Sequence, residues 1–329
     1  MSGMMKSLYI EDNVSINLKN IPIPQPLNGQ VLIKVEFAPI NPFDKEFLNG
    51  YKIGLKPLVG TVPGFEGSGT VIASGGGLLG WQLKGNRVAF YTENQFGSFG
   101  QYAIADVNYC TELPKNISFQ EGCCSYINPL SVIMMYQLLG NASGIISTGA
   151  STNLGRMLMR YCQSKGINVI NIVKSQIEEK ILKDEGAKLI LNINQDDFDD
   201  KLKLMSSSYN TTVLFDSLGG DLLSRILNLM PNGSKAYLYA NYSKKSLEGI
   251  YCANLMYQNK KIFGFSFVDN LQTKNIIQLK LMMNEVFNNI QGYFKTLPTQ
   301  IVIISNKYKF SLEEFEKALQ SKEKAIIKI

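Results

Sequence analysis

Short runs of β-branched and aromatic residues, separated by proline and glycine turns, dominate the first third of the chain. The runs lie at residues 7–10, 31–37, 69–73, 86–91 and 101–105. Turns such as residues 21–24 and 75–77 bound them. Short strands with such boundaries are typical of compact β-structures. The pattern therefore predicts a small β-barrel in this part of the chain.

The pattern changes near Ser118, where strand-like runs begin to alternate with helical stretches. The predicted strands lie at residues 144–147, 168–173, 189–191, 212–216 and 236–239. Between the first two, Met157, Leu158 and Tyr161 recur at helical spacing. Short apolar strands separated by helices indicate βαβ units, so we expect a parallel sheet with helices on both faces. The predicted fold class is α/β.

The last part of the chain contains strand-like runs again. Apolar runs at residues 301–304 and 325–329 flank an amphipathic stretch from Ser311 to Leu319. We expect this tail to return to the barrel of the first third.

Length and composition limit the possible classes of protein. A chain of 329 residues with 45% apolar and 18% charged residues is expected to fold into two globular domains. The net charge of +6 comes from scattered lysines, without the basic and aromatic clusters of nucleic-acid surfaces. No apolar run approaches the ~20 residues of a membrane span. Neither a nucleic-acid partner nor a membrane span is therefore predicted.

The cysteines indicate a reducing compartment. They are Cys110, Cys123, Cys124, Cys162 and Cys252, an odd set without C-x-x-C spacing, which argues against a disulfide framework and a structural zinc site. The adjacent Cys123 and Cys124 could form a redox switch, but at the start of a helix we expect them to be packing residues. A strand-like run follows the first residues directly, so no leader is expected. We predict a cytoplasmic protein, with the mitochondrial matrix as the alternative.

A turn of small residues joins the first strand of the α/β region to the following helix. It consists of Thr148, Gly149, Ala150, Ser151, Thr152, Asn153, Leu154 and Gly155. Small residues let backbone N–H groups and the helix N-terminus approach a pyrophosphate, whose charge the helix dipole favours. The G-x-G-x-x-G spacing is not kept, so the turn alone would equally fit an ordinary strand-to-helix connection. The order strand, turn, helix, strand favours a dinucleotide site.

The second strand of this unit ends at Lys174 and Ser175, about 20 residues beyond the turn. NAD sites place an acidic residue there to accept from the ribose 2′-hydroxyl, whereas a cation accommodates the 2′-phosphate of NADP. Lys174 therefore predicts NADPH as the cofactor, and Ser175 could add a hydroxyl donor. The alternative is a solvated lysine at a strand end.

Four further segments resemble the medium-chain dehydrogenase/reductase family over nearly the whole chain. They are APINPFD at residues 38–44, VPGFEGSGTV at 62–71, NPLS at 128–131 and FDSLGG at 215–220. Zinc-dependent members carry His where this chain has Phe65, and the chain contains no histidine. The resemblance is therefore to zinc-free members, such as quinone oxidoreductase-like proteins and mitochondrial 2-enoyl thioester reductases. It implies a protein that works without zinc.

The resemblance also implies an architecture and a set of site residues. A GroES-like β-barrel domain at residues 1–122 and 268–329 would carry an inserted Rossmann domain, a doubly wound parallel sheet, at residues 123–267. The active site would lie in the cleft between them, where Asn41 approaches the nicotinamide amide and Asn128 faces the cofactor. Ser217, Tyr239, Ala240 and Phe265, each after a strand, would line the cofactor.

Reduction of an activated C=C bond needs a hydride donor within ~3–3.5 Å of the acceptor carbon and a proton donor for the resulting anion. Tyr51 is similar to the catalytic tyrosine of the enoyl thioester reductases, although one residue usually found between it and the preceding glycine is missing. A phenol with a pKa near ~10 keeps its proton at neutral pH. The alternative is that Tyr51 packs as an amphipathic wall residue.

A quinone acceptor does not strictly need a proton from the protein, because the hydroquinone anion can take one from water. Phe43, Phe65, Tyr91 and Phe265 would suit a flat aromatic acceptor, or they could equally pack the barrel wall.

Two acidic residues are expected to support this site. Glu66 would accept backbone N–H bonds and hold loops together. Asp44 would either orient Asn41 or cap the helix that it begins.

The sequence thus predicts an NADPH-dependent, zinc-independent oxidoreductase acting on a quinone or an enoyl thioester. The competing prediction is a weak or inactive family member that serves as a structural or NADPH-sensing subunit of a larger, for example mitochondrial, complex. The irregular turn and the shortened spacing before Tyr51 favour this alternative. By the resemblance we expect a homodimer formed through edge strands near residues 236–240 and 262–267, which would otherwise be exposed.

Overall fold

The computed structural model of the protein describes residues 3–11, 16–48, 59–296, 300–303, 312–320 and 324–329. Contacts divide the chain into two compact units. Unit 1 contains Met1–Ile127, Ile276–Ile290 and Thr296–Ile329, and unit 2 contains Asn128–Asn275 and Gln291–Lys295. The predicted boundaries at 122/123 and 267/268 refer to folding domains, whereas the two units are defined by contacts. The boundaries therefore stay a prediction.

The strands and helices of the described residues are numbered in chain order. The strands are β1 (Met4–Ile10), β2 (Ile16–Pro22), β3 (Gln30–Ile40), β4 (Glu66–Ser74), β5 (Arg87–Tyr91), β6 (Tyr102–Asp106), β7 (Cys110–Glu112), β8 (Gly144–Ser147), β9 (Asn168–Val173), β10 (Leu189–Asn192), β11 (Thr211–Asp216), β12 (Lys235–Leu238), β13 (Lys261–Gly264), β14 (Gln300–Ile303) and β15 (Ala325–Lys328). The helices are α1 (Pro42–Leu48), α2 (Leu78–Leu83), α3 (Phe119–Gly122), α4 (Ile127–Gln137), α5 (Asn153–Ser164), α6 (Gln176–Asp184), α7 (Phe198–Ser208), α8 (Gly220–Leu229), α9 (Cys252–Tyr257), α10 (Phe267–Gln272), α11 (Ile276–Asn288) and α12 (Leu312–Gln320).

Strand β3 organises the sheet of unit 1. It pairs antiparallel with β4, β6 and β15, and the last of these pairings sets Ile40 opposite Ala325. Consecutive residues of β3 from Val31 to Ile33 are all buried, so both faces of the strand are covered at this point, because successive side chains point to opposite faces. The predicted return of the tail to the strands of the first third is confirmed by the β15 pairing.

The sheet of unit 2 is parallel throughout. The described strands follow the order β10-β9-β8-β11-β12-β13, with helices in the connections. Met157, Leu158 and Tyr161 of α5 are buried, as their spacing predicts. The first strand of the sheet along the chain is β8. The strands β9 and β10 are added on one side of β8, and β11, β12 and β13 on the other, which is the strand order of the Rossmann fold. This confirms the predicted α/β class, and the carboxyl ends of β8 and β11 mark the switch point where ligands bind in such sheets.

The two adjacent cysteines correct one local prediction. Cys123 is the C-terminal cap of α3, so the pair follows a helix instead of starting one. The helix has one turn, which is too short to show a periodic pattern. Both side chains are buried in one cluster with Ile326, with their sulfur atoms 3.7 Å apart. Burial raises the pKa of the Cys123 thiol well above its ordinary value.

Among the described ranges, no helix is both long enough and apolar enough to cross a bilayer.

Candidate functional site

The turn between β8 and α5 is tight and ends in a capped helix. Gly149 has φ = 59°, and the Thr152 N–H donates to its carbonyl oxygen at 3.0 Å. Thr152 is the N-cap of α5, and its hydroxyl oxygen accepts from the Gly155 N–H at 3.1 Å. The conformation of the chain between the end of β8 and the start of α5 is therefore fixed by backbone hydrogen bonds and by the cap of the helix.

Close packing explains the glycines of this turn. A Cβ atom on Gly149 would overlap the hydroxyl oxygen of Ser217, and its positive φ is strained for other residues. A Cβ atom on Gly155 would lie 2.6 Å from the Gly149 carbonyl oxygen and 2.7 Å from the Cα of Ala150. The turn lacks the usual glycine spacing, yet Gly155 still allows α5 to pack directly on it.

The first turn of α5 offers backbone donors that suit an anion. The N–H groups of Asn153 and Leu154 lie in the first turn, where they have no acceptor within the helix. Ser151 and Asn153 are partly exposed. Backbone donors of this kind, at the carboxyl end of β8, are the usual partners of a pyrophosphate.

The structure places Lys174 at the end of β9, the neighbour of β8 in the sheet. Its N–H donates to Glu178 at 2.9 Å, and its carbonyl oxygen accepts from the Asn194 side chain at 2.9 Å. Ser175 is the N-cap of α6 and accepts from the Glu178 N–H. The backbone of Lys174 is thus held on both sides while its side chain is exposed. Sequence reasoning missed Asn194, which follows the next strand, β10.

A buried network connects the turn to the end of β11. The Thr148 hydroxyl donates to Asp216 Oδ1 at 2.6 Å and accepts from the Ser217 N–H at 2.9 Å. Asp216 Oδ2 accepts from the Gly219 N–H at 2.6 Å. The Tyr239 hydroxyl donates to the Thr148 carbonyl oxygen at 3.4 Å. The structure therefore brings together three predicted residues, Thr148, Ser217 and Tyr239, and adds Asp216, which sequence reasoning did not assign to the site.

Burial governs the ionisation of this network. Removal from water raises the pKa of Asp216, and hydrogen bonds from Thr148, Gly219 and Leu218 oppose that effect. Burial also raises the pKa of Tyr239, so its phenol stays protonated. The hydroxyl therefore acts as a donor toward Thr148.

Three other predicted cofactor residues lie at separate places in unit 2. Asn128 is mostly buried in the first turn of α4. Ala240 is partly exposed after β12. Phe265 follows β13, is mostly buried, and donates its N–H to the Leu238 carbonyl oxygen at 2.8 Å. Their roles toward a cofactor stay predictions.

In unit 1, the predicted residue Asn41 lies in a buried polar cluster. Its side-chain nitrogen donates to Glu66 Oε1 at 2.8 Å, and its backbone N–H donates to Asp44 Oδ2 at 2.7 Å. Its side-chain oxygen accepts from the ammonium group of Lys324. Asn41, Asp44 and Glu66 are each at most 2% exposed. The end of β3 and the starts of α1, β4 and β15 thus meet at one amide.

Glu66 serves as the predicted backbone acceptor. Its Oε2 accepts from the N–H groups of Tyr126 at 3.2 Å and Ile127 at 2.9 Å. Its bond to the Asn41 side chain was not predicted. Burial raises the pKa of Glu66, an effect that Lys324 and these hydrogen bonds oppose.

Asp44 lies in the first turn of α1, and its carboxylate accepts from the backbone N–H of Asn41, the residue before the helix, a contact that is compatible with both of its predicted roles. Burial raises the pKa of Asp44 to about 7, although the hydrogen bond from Asn41 and the charge of Lys324 lower it. Within the described residues, its Oδ1 atom is buried and has no hydrogen-bond partner. Asp44 therefore changes its charge near neutral pH.

Aromatic rings lie next to this polar cluster in the chain. The ring of Phe65 is 4.8 Å from that of Phe43 and 5.2 Å from that of Phe47, a residue that sequence reasoning missed. Phe43 is 37% exposed, so this aromatic group reaches the surface of unit 1. Tyr91 is buried and packs edge-on against Tyr109, which assigns it to the wall of the sheet.

Tyr51, the predicted proton donor, lies in residues 49–58, outside the described part of the chain, so its role stays a prediction. In the described part, no group of three or more Cys, Asp or Glu side chains is arranged to hold a metal ion.

Two family models match this chain. The alcohol dehydrogenase GroES-like domain matches residues 27–115, and the zinc-binding dehydrogenase domain matches residues 154–281. Together they cover more than half of the chain, in the order that the fold shows. The chain belongs to the medium-chain dehydrogenase/reductase family. The GroES-like and Rossmann parts expected from the sequence are thereby confirmed.

The similar members of the medium-chain dehydrogenase/reductase family include proteins named quinone oxidoreductase and proteins named enoyl reductase. Quinone oxidoreductase of Sus scrofa is 26% identical over 222 residues, which cover 67% of each chain. Mitochondrial enoyl-[acyl-carrier-protein] reductase of Dictyostelium discoideum is 24% identical over 300 residues, 89% of this chain and 82% of that one. The structure of a Mesorhizobium loti protein, provisionally described as an NADPH:quinone reductase, superposes with a TM-score of 0.87 at 25% identity, covering 99% of this chain and 98% of that one.

Proposed function

We propose that this protein is an NADPH-dependent oxidoreductase that reduces a quinone or another activated C=C bond without zinc. The observation that carries the proposal is the turn of residues 148–155, which leaves the first N–H groups of α5 open at the switch point of a Rossmann-ordered sheet. The names of the family members reported above agree with this function.

The residues of unit 2 fit the cofactor. The N–H groups of Asn153 and Leu154 would donate to the pyrophosphate, and the two glycines would give it room. The exposed ammonium group of Lys174 would pair with a 2′-phosphate, which NADH lacks. When bound, NADPH supplies a hydride from its nicotinamide ring. Asn41 stays our candidate for the contact with the nicotinamide amide.

A quinone is the acceptor that the described residues support best. The exposed ring of Phe43, packed on Phe65, offers an aromatic surface on which a flat quinone would stack. Zinc-dependent members carry a metal-binding histidine at the position of Phe65, where this chain packs a ring between Phe43 and Phe47. The residue at position 65 therefore supports chemistry without zinc.

An enoyl thioester is the second candidate. It is supported by the match to the Dictyostelium enoyl reductase, which spans more of this chain than the match to the porcine quinone oxidoreductase. In that case Tyr51 would protonate the intermediate. An inactive subunit is less well supported, because the turn at Gly149 keeps its packing and α5 keeps its cap.

We also propose that the protein forms a homodimer. In the described part of the chain, β12 pairs with both β11 and β13, so the expectation of an edge near residues 236–240 was wrong, whereas β13 pairs with β12 alone. Several large apolar side chains that lie near β13 in the chain are exposed. Tyr251, Leu255, Met256, Tyr257 and Phe263 are each more than 40% exposed. A second copy would cover these side chains and the open edge of the strand. The cytoplasm stays the predicted compartment, with the mitochondrial matrix as the alternative.

The test is a comparison of cofactors and acceptors with the purified protein. We expect NADPH oxidation by a 1,4-naphthoquinone to proceed with a kcat/KM at least tenfold above that with NADH. Lys174→Ala should remove most of that preference by lowering the value for NADPH alone. The control is Lys180→Ala, which removes an exposed lysine of α6 paired with Asp184.

Two results would refute parts of the proposal, and a third would decide between the two acceptors. Equal rates with NADH and NADPH would refute the role of Lys174. Activity with crotonyl-CoA but not with quinones would favour the enoyl thioester. Loss of activity on treatment with a zinc chelator, restored by added zinc, would refute zinc independence.

A further inference from the structure

We propose that Asp216 is a positioning residue of the cofactor site, which acts through the hydroxyl group of Thr148 to set the start of the pyrophosphate-binding turn. The inference rests on the proposed function, because it assigns a role at the same site. Asp216 is fully buried at the end of β11, and Thr148 directly follows β8.

Hydrogen bonds at the strand ends leave Asp216 little freedom. Its two carboxylate oxygens accept separate bonds of 2.6 Å, one from the Thr148 hydroxyl and one from the Gly219 N–H. Its carbonyl oxygen accepts from the Tyr239 N–H at 2.9 Å. Because both oxygens face donors, the ionised form matches this arrangement. The carboxylate is thus held between Thr148, which follows β8, and Gly219, which precedes α8, while the backbone of Asp216 is bonded to the residue after β12.

Thr148 transmits that position to β8. Its hydroxyl has one hydrogen, which is donated to Asp216, and one of its lone pairs accepts from the Ser217 N–H at 2.9 Å. Its own N–H donates to the Phe215 carbonyl oxygen at 3.1 Å. Backbone and side chain of Thr148 are therefore both tied to the end of β11.

The next residue begins the turn. Gly149 packs against the Ser217 hydroxyl so closely that it has no room for a Cβ atom. Its carbonyl oxygen accepts from the N–H of Thr152, the residue that caps α5. A shift of Thr148 would therefore change the direction of the N–H groups that would meet the pyrophosphate. Such a shift would weaken several of the hydrogen bonds to the pyrophosphate at once, because these bonds depend on the direction of the donors.

The charge of Asp216 makes this inference testable. A carboxylate repels a pyrophosphate, so replacing it with a neutral amide removes a repulsion and, on electrostatics alone, would favour binding. Asp216→Asn keeps the size of the side chain, but its NH₂ group only donates, so the variant cannot keep both of the bonds that the two carboxylate oxygens accept from Thr148 and Gly219. Weaker binding in this variant would therefore report lost geometry.

The experiment measures the Kd of NADPH by fluorescence titration and the thermal midpoint Tm of each variant. We expect Asp216→Asn and Thr148→Val to raise Kd at least tenfold, and Thr148→Ser, which keeps the hydroxyl, to stay within threefold of the wild type. Thr211→Val is the matched control. It removes a buried hydroxyl at the other end of β11 that has no partner in the described residues, so its Kd should change less than twofold.

The outcomes separate this inference from the proposed function. If the wild type does not bind NADPH, the proposed function fails and this inference fails with it. If the wild type binds and the Kd values of Asp216→Asn and Thr148→Val stay within twofold, only the positioning role is refuted, even where Tm falls. If Asp216→Asn does not fold, the comparison of Thr148→Val with Thr148→Ser decides the question alone.

Discussion

Asn41 and Glu66 lie 25 positions apart in the chain and are joined by a buried hydrogen bond of 2.8 Å between their side chains. Glu66 uses its second carboxylate oxygen to accept from the N–H groups of Tyr126 and Ile127. One acidic side chain thereby holds the end of β3, the start of β4 and the segment before α4 in register. The amide that is our candidate for a nicotinamide contact depends on this carboxylate for its orientation.

We expect Glu66→Ala to destabilise the protein strongly. The substitution removes the acceptor that Glu66 offers to the buried Asn41 amide and the buried Tyr126 N–H, and the one that it offers to the half-buried Ile127 N–H. A buried donor that loses its acceptor costs about 1–3 kcal/mol. Glu66→Gln should cost less, because its amide oxygen still accepts one of these bonds. Thermal unfolding of the variants measures the difference.

The control for Glu66 is Glu112→Ala. Glu112 is exposed and accepts from the Asn86 side chain at 3.1 Å. Its loss should change the free energy of unfolding by about 0.5 kcal/mol or less. Similar small effects at both positions would contradict the role given to Glu66.

Asp44 should make stability depend on pH in the acidic range. Burial raises its pKa from 3.8 to about 7 in the folded protein. Folding therefore favours the protonated acid, and this stabilisation is complete below about pH 4 and is lost as the pH rises to about 7. In Asp44→Asn the side chain stays neutral, so the variant should gain stability relative to the wild type across that window, by at most about 4 kcal/mol.

Thermal unfolding of both proteins between pH 4 and pH 8 tests this prediction. The Tm difference should change up to about pH 7 and then stay constant. Asp184→Asn is the control, since Asp184 is exposed on α6 and pairs with Lys180. A constant difference between Asp44→Asn and the wild type over the whole range would show that Asp44 is ionised throughout.

Comparison of alanine substitutions at Gly149 and Gly140 distinguishes the cost of backbone strain from the cost of steric overlap. Both have φ = 59°, but a Cβ on Gly149 would overlap Ser217, whereas one on Gly140 would meet nothing within 4 Å. We expect Gly140→Ala to cost about 1 kcal/mol for the positive φ. Gly149→Ala should cost about 2–4 kcal/mol, since overpacking adds to that strain.

Ser217→Ala offers a direct check of the overlap at Gly149. Combined with Gly149→Ala, it should recover part of the lost Tm, because the obstructing hydroxyl is gone. NADPH binding should fall in Gly149→Ala and stay unchanged in Gly140→Ala. Equal Tm losses for the two glycine variants would rule out the overlap.

The proposed dimer can be tested at the exposed end of α9. Met256 is 68% and Tyr257 is 80% exposed. We expect the wild type to sediment as a dimer and the double variant Met256→Lys, Tyr257→Lys to sediment as a monomer, because charge would be buried in the interface. Leu204→Lys on α7, at a site 68% exposed, is the matched control and should stay dimeric. A monomeric wild type would refute the dimer.

Local patterns in the sequence predicted most elements of unit 2. β8 and β9 lie at the predicted residues 144–147 and 168–173, and the small-residue turn begins α5 as expected. These features depend on side chains that are neighbours in the chain, so apolar runs and glycines are sufficient to find them. In unit 1, the helix α3 was missed because its four residues form a single turn, which is too short for an apolar pattern to repeat.

The family, the parallel sheet, the pyrophosphate-type turn and the lysine after β9 were therefore determined by the sequence itself. Only the tertiary structure decided that Asp216 reaches Thr148, and that Asn41, Asp44, Glu66 and Lys324 share one buried cluster. The physical reason is that hydrogen bonds between distant segments, and the loss of water that raises the pKa of Asp44, arise only when the sheet order brings those segments together and buries them.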